Sequence, residues 1–261
     1  MKKILYLLLI GLLSLTACDE KDEPQSAIET FTVNGVSFNM VKVKGGSFTM
    51  NMELPLTPTV VLYQDSTLDV TLADYSIGQT EVTQALWQAV MGNNPSYFSS
   101  NEIFMVEKEG EFEDDLNRPV EWVSWDDCQV FIEKLNALTG RFFRIPTEAE
   151  WEFAARGGIK THGYPYAGSD NIDEVAWCGE NTDNKTHPVG QKKPNELGLY
   201  DMSGNVREWC LDRISFRMAD GTSYAYRIVR GGSYYQKCFV WYRDRATQNV
   251  KGSDLGLRLA M

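Results

Sequence analysis

The residues best equipped for chemistry lie in two runs near the end of the chain, Gly198–Cys210 (GLYDMSGNVREWC) and Arg230–Ala260, which opens RGGSYYQKC and closes LGLRLA. In the first, Asp201 and Glu208 bracket glycine-permissive positions at which a backbone carbonyl can turn inward. Carboxylates mixed with carbonyl oxygens make a donor set suited to a hard cation such as Ca2+. In the second, Ser233, Tyr235, Gln236, Trp241, Arg243 and Arg245 form an aromatic and basic cluster in a chain with 36 acidic and 25 basic residues. Aromatic rings and guanidinium groups are common binding anchors, although strand alternation sends about half of such a run inward. Nucleophilic chemistry has no comparable support: Ser203 and Ser233 lack a nucleophile elbow. His162 and His187 have no metal-ligand partner at helical spacing, and no C-x-x-C pair suggests zinc.

Those runs need elements to hold them. In Phe31–Phe38 the Asn34-Gly35 pair supplies the positive φ angles of a two-residue hairpin turn, so the folded domain is expected to begin near Phe31. Val41–Met50 reads as a strand with an irregularity at Gly45-Gly46, Leu54–Val70 as an edge or insertion, and Tyr75–Thr80 as another strand. Thr83 caps a helix reaching Met91, with Ala85, Leu86, Ala89 and Val90 inward and Gly92 as its stop. Asn93–Leu116 is a solvated, acidic excursion. Ser124 with Asp127 starts a second helix whose core stripe is Cys128, Phe131, Ile132, Leu135 and Leu138, ended by Gly140. Thr147 and Glu150 form the capping box of a third, which turns Trp151, Ala154 and Ala155 inward and closes at Gly157-Gly158. Beyond Gly158, recurrent Gly and Asn predict loops pinned to short strands, which an ion, disulfide or ligand must hold.

With 261 residues, 43% of them hydrophobic, the chain can bury one sizeable core. A net charge of -11 excludes nucleic acid or an anionic membrane as an electrostatic partner. Lys2 and Lys3 precede an apolar run, Ile4–Leu15, too short to span a bilayer, so residues 1–17 read as a secretion signal. The tetrapeptide Leu15-Thr16-Ala17-Cys18 looks like a lipobox, making Cys18 the lipidated first residue of the mature protein and the membrane lipid its first partner. Residues 18–30 then form an acidic tether, and residues 31–261 the domain. Similar acidic stretches follow the lipidated cysteine in surface-exported lipoproteins of some Gram-negative bacteria, which points to the outer membrane or cell surface. Cys128, Cys178, Cys210 and Cys238 remain; four cysteines permit three complete pairings, and unpaired buried thiols are equally compatible.

Several segments, in order, carry a family resemblance: Thr80-Glu81-Val82-Thr83, Pro119–Trp125 (PVEWVSW), Arg144–Glu152 (RIPTEAEWE), Gly198–Val206 and Arg230–Ser233. Jointly they resemble the formylglycine-generating enzyme family, the sulfatase-modifying factors, over nearly all of Phe31–Met261. That resemblance implies an α+β, loop-rich variant of the C-type lectin fold, with few helices and short antiparallel strands. It also implies one structural Ca2+, with side-chain oxygens from Asp201 and Glu208 and carbonyls from Gly204 and Val206. A second ion in some relatives draws on the region matching residues 175–184, where Val175 replaces the ligand Asn, so none is expected there.

The catalysis of such relatives uses two cysteines and copper, and counting from Gly231-Gly232-Ser233-Tyr234 places those positions at Gln236 and Trp241. Neither side chain binds Cu(I), a soft ion that selects thiolates, so copper is not expected. Cys238 is the remaining thiol candidate, on the same strand face as Gln236. The expected function is therefore binding of a peptide, glycan or protein outside the cytoplasm. The alternatives are a divergent protein-modifying oxidase using Cys238, a ligand-display protein like the lectin-fold variable proteins of diversity-generating retroelements, or a structural part of a surface complex.

Overall fold

The computed structural model describes residues 27–52, 67–99, 115–217 and 221–261. The leader, Cys18, most of the tether and the bulk of the acidic excursion lie outside them. Strands β1 (Ile28–Val33) and β2 (Val36–Val43) form the expected hairpin, with Asn34 at φ 48° and Gly35 at φ 84° in the turn. β5 (Tyr75–Gly78) adds antiparallel to β2. The strand expected over Val41–Met50 is instead two: β2 ends at Val43, and β3 (Ser47–Asn51) leaves for a separate ribbon with β4 (Thr67–Thr71). Gly45 lies against the Leu72 and Ala73 backbone, so closely that a Cβ would overlap it.

The three longer helices start where their caps predict. Thr83 Oγ1 accepts from Leu86 N to begin α1 (Gln84–Met91). Ser124 and Asp127 cap α2 (Trp125–Thr139) reciprocally, and Thr147 with Glu150 does the same for α3 (Glu148–Ala155). Each such cap satisfies amide groups that the first helical turn otherwise leaves without acceptors. One stripe residue departs from expectation: Cys128, Phe131, Ile132 and Leu135 are buried, but Leu138 is exposed. In α1 the buried face is Gln84, Leu86 and Trp87, and Trp87 stacks on Phe131 of α2 at 4.8 Å.

After a short helix α4 (Ile172–Val175) and a long looped stretch, the second sheet forms from β6 (Arg207–Arg217), β7 (Ser223–Arg230), β8 (Arg243–Ala246) and β9 (Leu255–Gly256) in the order β8-β7-β6-β9. All neighbours are antiparallel except β9, which runs parallel to β6. The final residues then return to the first sheet, where Ala260 bridges both Ile77 and Arg144. Few helices, short and mainly antiparallel strands, and extensive loop make this an α+β fold.

The helix α3 sits between the sheets and turns charge as well as carbon inward. Glu148, Trp151, Glu152, Ala154 and Ala155 are all buried. Glu152 pairs with the fully buried Arg230, and Glu148 takes a bidentate pair from Arg243 at 2.6 and 2.8 Å. Arg230 also donates to the carbonyls of Trp241 and Tyr242 at 3.1 and 2.9 Å, which pins the closing loop to the helix. Desolvating such ions is repaid only while every partner stays in place. Arg230→Met is therefore expected to cost about 3–5 kcal/mol in urea unfolding, because the buried Glu152 keeps only Arg156 as a charged partner, at its other oxygen, and Glu148 loses a nearby positive charge. The double variant Arg230→Met/Glu152→Leu should recover part of that loss, and additive losses would show that the two residues are not coupled.

Candidate functional site

The loop Gly198–Val206 folds against the start of β6 by means of two left-handed residues, Asp201 (φ 57°) and Asn205 (φ 58°), residue types that tolerate this conformation. Between them Gly204 packs onto the Trp177 backbone, where any Cβ would overlap the Trp177 carbonyl. Asn205 N donates to that same carbonyl at 2.8 Å, and Asn205 Nδ2 donates to Glu81 Oε2 at 2.9 Å. Val206 N donates to Glu81 Oε1 at 3.2 Å. Glu81, from the segment before α1, thus fastens the loop.

Of the four residues expected at a cation, Asp201 and Glu208 are buried side chains in one charged cluster, and Gly204 and Val206 are buried backbone positions beside them. Asp201 Oδ2 accepts from Gly190 N at 2.7 Å, while its Oδ1 is buried without a hydrogen-bond partner. Glu208 is more fully engaged. Arg258 donates to both of its oxygens, at 2.7 to 3.1 Å, and Trp151 Nε1 donates to Oε2 at 2.6 Å. Arg258 spans further to the carbonyls of Gly78 and Tyr200, at 3.0 and 2.9 Å.

Three buried acids, Glu81, Asp201 and Glu208, therefore face one buried cation. Burial raises Asp201 from 3.8 to about 6, with Glu208 adding to the rise and Gly190 and Arg258 opposing it. Burial, then the Asp201 and Glu208 charges, likewise raise Glu81 well above the ordinary carboxylate range. The orphaned Asp201 Oδ1 is an oxygen donor of the kind a hard cation takes, while both Glu208 oxygens are engaged by Arg258 and Trp151. Among the described residues no three His, Cys, Asp or Glu side chains are grouped to hold a metal ion.

The expected binding cluster divides into core and surface. Ser233 and Arg243 are buried, the first with its hydroxyl unpartnered and the second committed to Glu148, so neither lines an open cleft. Gly232 forces this, since its φ of 68° and the closeness of the Lys237 carbonyl fold the turn back on itself. Tyr235 is 52% exposed and meets Tyr234 edge-on at 4.8 Å. Gln236 donates to Asp254 Oδ2 at 3.2 Å, while Arg207 grips Asp254 at 2.7 and 2.9 Å. Trp241 stacks on Phe239 at 5.1 Å, and Phe239 on Tyr166 at 5.3 Å, giving a half-buried row of three rings. Arg245 of β8 lies over the Tyr226 ring of the neighbouring strand β7 at 5.5 Å.

Cys238 is joined to Cys178 in a disulfide across a sequence separation of 60, which ties the α4 region to the closing loop. The thiol candidate is thus corrected: in this state Cys238 is a cross-link. Cys128 and Cys210 are buried free thiols. His187 stacks on Trp177 at 3.8 Å, and its Nε2 meets the Thr182 carbonyl at 2.9 Å. Tyr166, Phe239, Glu81 and Arg258 were not among the expected site residues. Glu81 and Arg258 had one available signal, their position inside the quoted TEVT and LGLRLA runs.

Asp201 makes stability depend on pH in a defined direction. Its folded value lies above its ordinary 3.8, so the folded chain holds a proton that the unfolded chain releases between pH 3.8 and about 6. Stability from this group is fullest below that window and falls as pH rises through it, by up to about 3 kcal/mol. Denaturant unfolding in EDTA at pH 5 and pH 7 measures it; Asp201→Asn should flatten the difference, and an unchanged difference would assign it elsewhere.

Residues 24–261 match the sulfatase-modifying factor enzyme 1-like domain. The chaperone protein LppX of Paenibacillus barcinonensis is 32% identical over 314 residues, spanning 99% of this chain and 98% of that protein. The formylglycine-generating enzyme of Streptomyces coelicolor is 34% identical over 174 residues, 55% of this chain and 52% of the enzyme, so the likeness covers about half its length. Among solved structures, Treponema denticola variable protein 1 superposes with a TM-score of 0.71 at 34% identity, over 89% of this chain and 98% of that one. The chain thus belongs to the sulfatase-modifying factor, or formylglycine-generating enzyme-like, family.

Proposed function

We propose that this protein is a lipid-anchored, extracytoplasmic member of its family that binds a partner protein and does not make formylglycine. One observation carries the reading. The two positions matching the redox cysteines are Gln236 and Trp241, the first hydrogen-bonded to Asp254 and the second stacked on Phe239, and the nearest sulfur is locked in the Cys178–Cys238 disulfide. No thiolate pair is available there to hold Cu(I), so no oxidation step is assigned.

What remains is a surface suited to contact. Tyr235, Gln236, Trp241 and the Tyr166–Phe239 stack offer rigid aromatic area with polar groups beside it, a composition that buries well against protein. The disulfide and the Arg230 bonds hold this surface in shape before any partner arrives, which limits the ordering cost of binding. The full-length likeness to a protein named as a chaperone favours a protein client over a glycan. Anchorage is assigned to acylated Cys18, and one Ca2+ to Asp201, Glu208 and the carbonyls of Gly204 and Val206. The ion's part there is to offset surplus negative charge and fix the loop that carries the closing segment.

Two measurements test the reading. Incubation of the oxidised, copper-supplied protein with a cysteine peptide of sulfatase type should yield no aldehyde by mass spectrometry, and aldehyde formation would restore an oxidase. In the same preparation, aggregation of a denatured secreted enzyme should be suppressed, and Tyr235→Ala/Trp241→Ala should abolish the suppression while leaving melting largely intact. For the ion, adding Ca2+ after EDTA should raise the melting temperature of the parent chain and not of Asp201→Asn; equal shifts would place the ion elsewhere.

A further inference from the structure

The strands β6 and β7 run on together as a two-stranded ribbon past their neighbours, since β8 pairs with β7 only from Arg227 onward and β9 with β6 only at Arg207 and Glu208. Register fixes which side chains of the ribbon share a face. Arg213 stands directly opposite Arg227, Ser215 opposite Ala225, and Arg217 opposite Ser223. Opposed residues, and alternate ones along each strand, project to the same side. The intervening positions turn the other way, where Ile214 packs on the core and Tyr224 stacks with Tyr226 at 6.4 Å.

One face of the ribbon thus carries three guanidinium groups and two hydroxyls, with no acid among them. Arg213, Ser215, Arg217 and Ser223 are exposed. Arg227 lies 3.6 Å over the Trp125 ring and donates to the Leu211 carbonyl at 2.7 Å, and its Nε is buried without a partner. Among the described residues the ion pairs of β6 and β7 belong to Arg207, Glu208 and Arg230, and none to Arg213 or Arg217. Like charges set directly across a strand pair destabilise it. Burial holds Arg227 below its ordinary range and the Arg213 charge adds to this, while Asp126 of α2 and Asp212 oppose it. Asp212 is itself engaged by Glu148 N at 2.6 Å. The face is therefore short of negative charge in a chain whose net charge is -11.

The strand edge decides the occupant. In an antiparallel ladder alternate residues aim their amide and carbonyl away from the paired strand. Leu211 N donates to Pro146 O at 2.9 Å, and beyond it no strand among the described residues covers that side of β6. An added strand would meet those backbone groups and lay every second side chain on the arginine face. Arg213 and Arg217 are about 13 Å apart along the strand, so an extended segment with an acid at every second position sets carboxylates against Arg213, Ser215 and Arg217. A second copy of this edge is a poor occupant, because pairing about Ser215 would set arginine against arginine. A glycan has no amide ladder to offer.

We propose that the outer edge of β6 over Asp212–Arg217 accepts an extended acidic segment of a partner protein as an added strand, its alternate carboxylates paired with Arg213 and Arg217. The site uses no residue of the aromatic surface assigned above.

The probe is a dye-labelled peptide of alternating Glu and Thr, titrated with the full-length chain and read by fluorescence anisotropy. It should bind, and less tightly as salt rises; a peptide that does not bind would overturn the proposal. Arg213→Glu/Arg217→Glu should weaken binding about tenfold or more with melting unchanged, and Arg213→Lys/Arg217→Lys should retain most of it. Two changes in the peptide leave the protein untouched: Gln in place of Glu removes the charge, and N-methylation of the amides along one edge removes the ladder. Each should weaken binding by a comparable factor. Undiminished binding of the Glu variant or of the Gln peptide would overturn the charge pairing, and undiminished binding of the N-methylated peptide would overturn strand addition. Dextran sulfate bound through Arg213 and Arg217 in place of the peptide would assign the face to a polyanion instead. Loss of peptide binding in Tyr235→Ala/Trp241→Ala would move the peptide to the aromatic surface, overturning this site while leaving that reading standing.

Discussion

Charge buried in pairs is what the rest of this molecule depends on. Glu148 and Glu152 of α3 meet Arg243 and Arg230 of the second sheet, and Glu208 at the head of β6 meets Arg258 on the way back to the first. Trp151 joins the two groups, because the helix that supplies the acids also sends its indole N–H to Glu208. Such pairs are weak evidence for extra stability, since ions give up their hydration to form them. Their stronger effect is on uniqueness: any packing that separates them leaves bare charge in the core. A fold with so much loop needs that kind of enforcement, because loops bring little cooperative hydrogen bonding of their own.

The same bonds set the functional geometry. Arg230 reaches past Glu152 to the carbonyls of Trp241 and Tyr242, so the surface segment is held by the core charge network and not by its own secondary structure. On the other side, Arg258 closes a circuit from Glu208 to the Gly78 and Tyr200 carbonyls, fixing the loop that carries Asp201. The Cys178–Cys238 disulfide adds a covalent tie between the α4 region and the closing loop. A surface braced from three directions is preorganised, which is of value to a binding protein as much as to an enzyme.

Within this chain the segments that hold the scaffold and the positions matched to the redox cysteines are physically distinct. The segments that hold the fold are present in full, yet Gln236 hydrogen-bonds to Asp254 and Trp241 joins a ring stack where a metal-binding pair would have to stand. Fold membership therefore carries no activity by itself. Both positions are half-buried at the surface, and the Glu148, Glu152 and Glu208 ion pairs beneath make no use of either side chain.

Sequence alone determined the features whose cause is local. The Asn34-Gly35 turn and the capping boxes at Ser124 and Thr147 depend on a few neighbouring residues, and each stands where its spacing placed it. The absence of cysteine at positions 236 and 241 was also plain from counting. Tertiary structure decided whatever needed a distant partner. Nothing near Cys238 in sequence selects Cys178 from among three possible pairings, and nothing in the run of Tyr and Arg distinguishes Arg243, buried on Glu148, from Tyr235, open to solvent. Leu138 matched the helical period of α2 but falls beyond the reach of the core, so periodicity assigned it a face that packing did not cover. Glu81, Asp201 and Arg258 belong to one site only because strands far apart in the chain bring them together, and burial is a property that only that assembly confers.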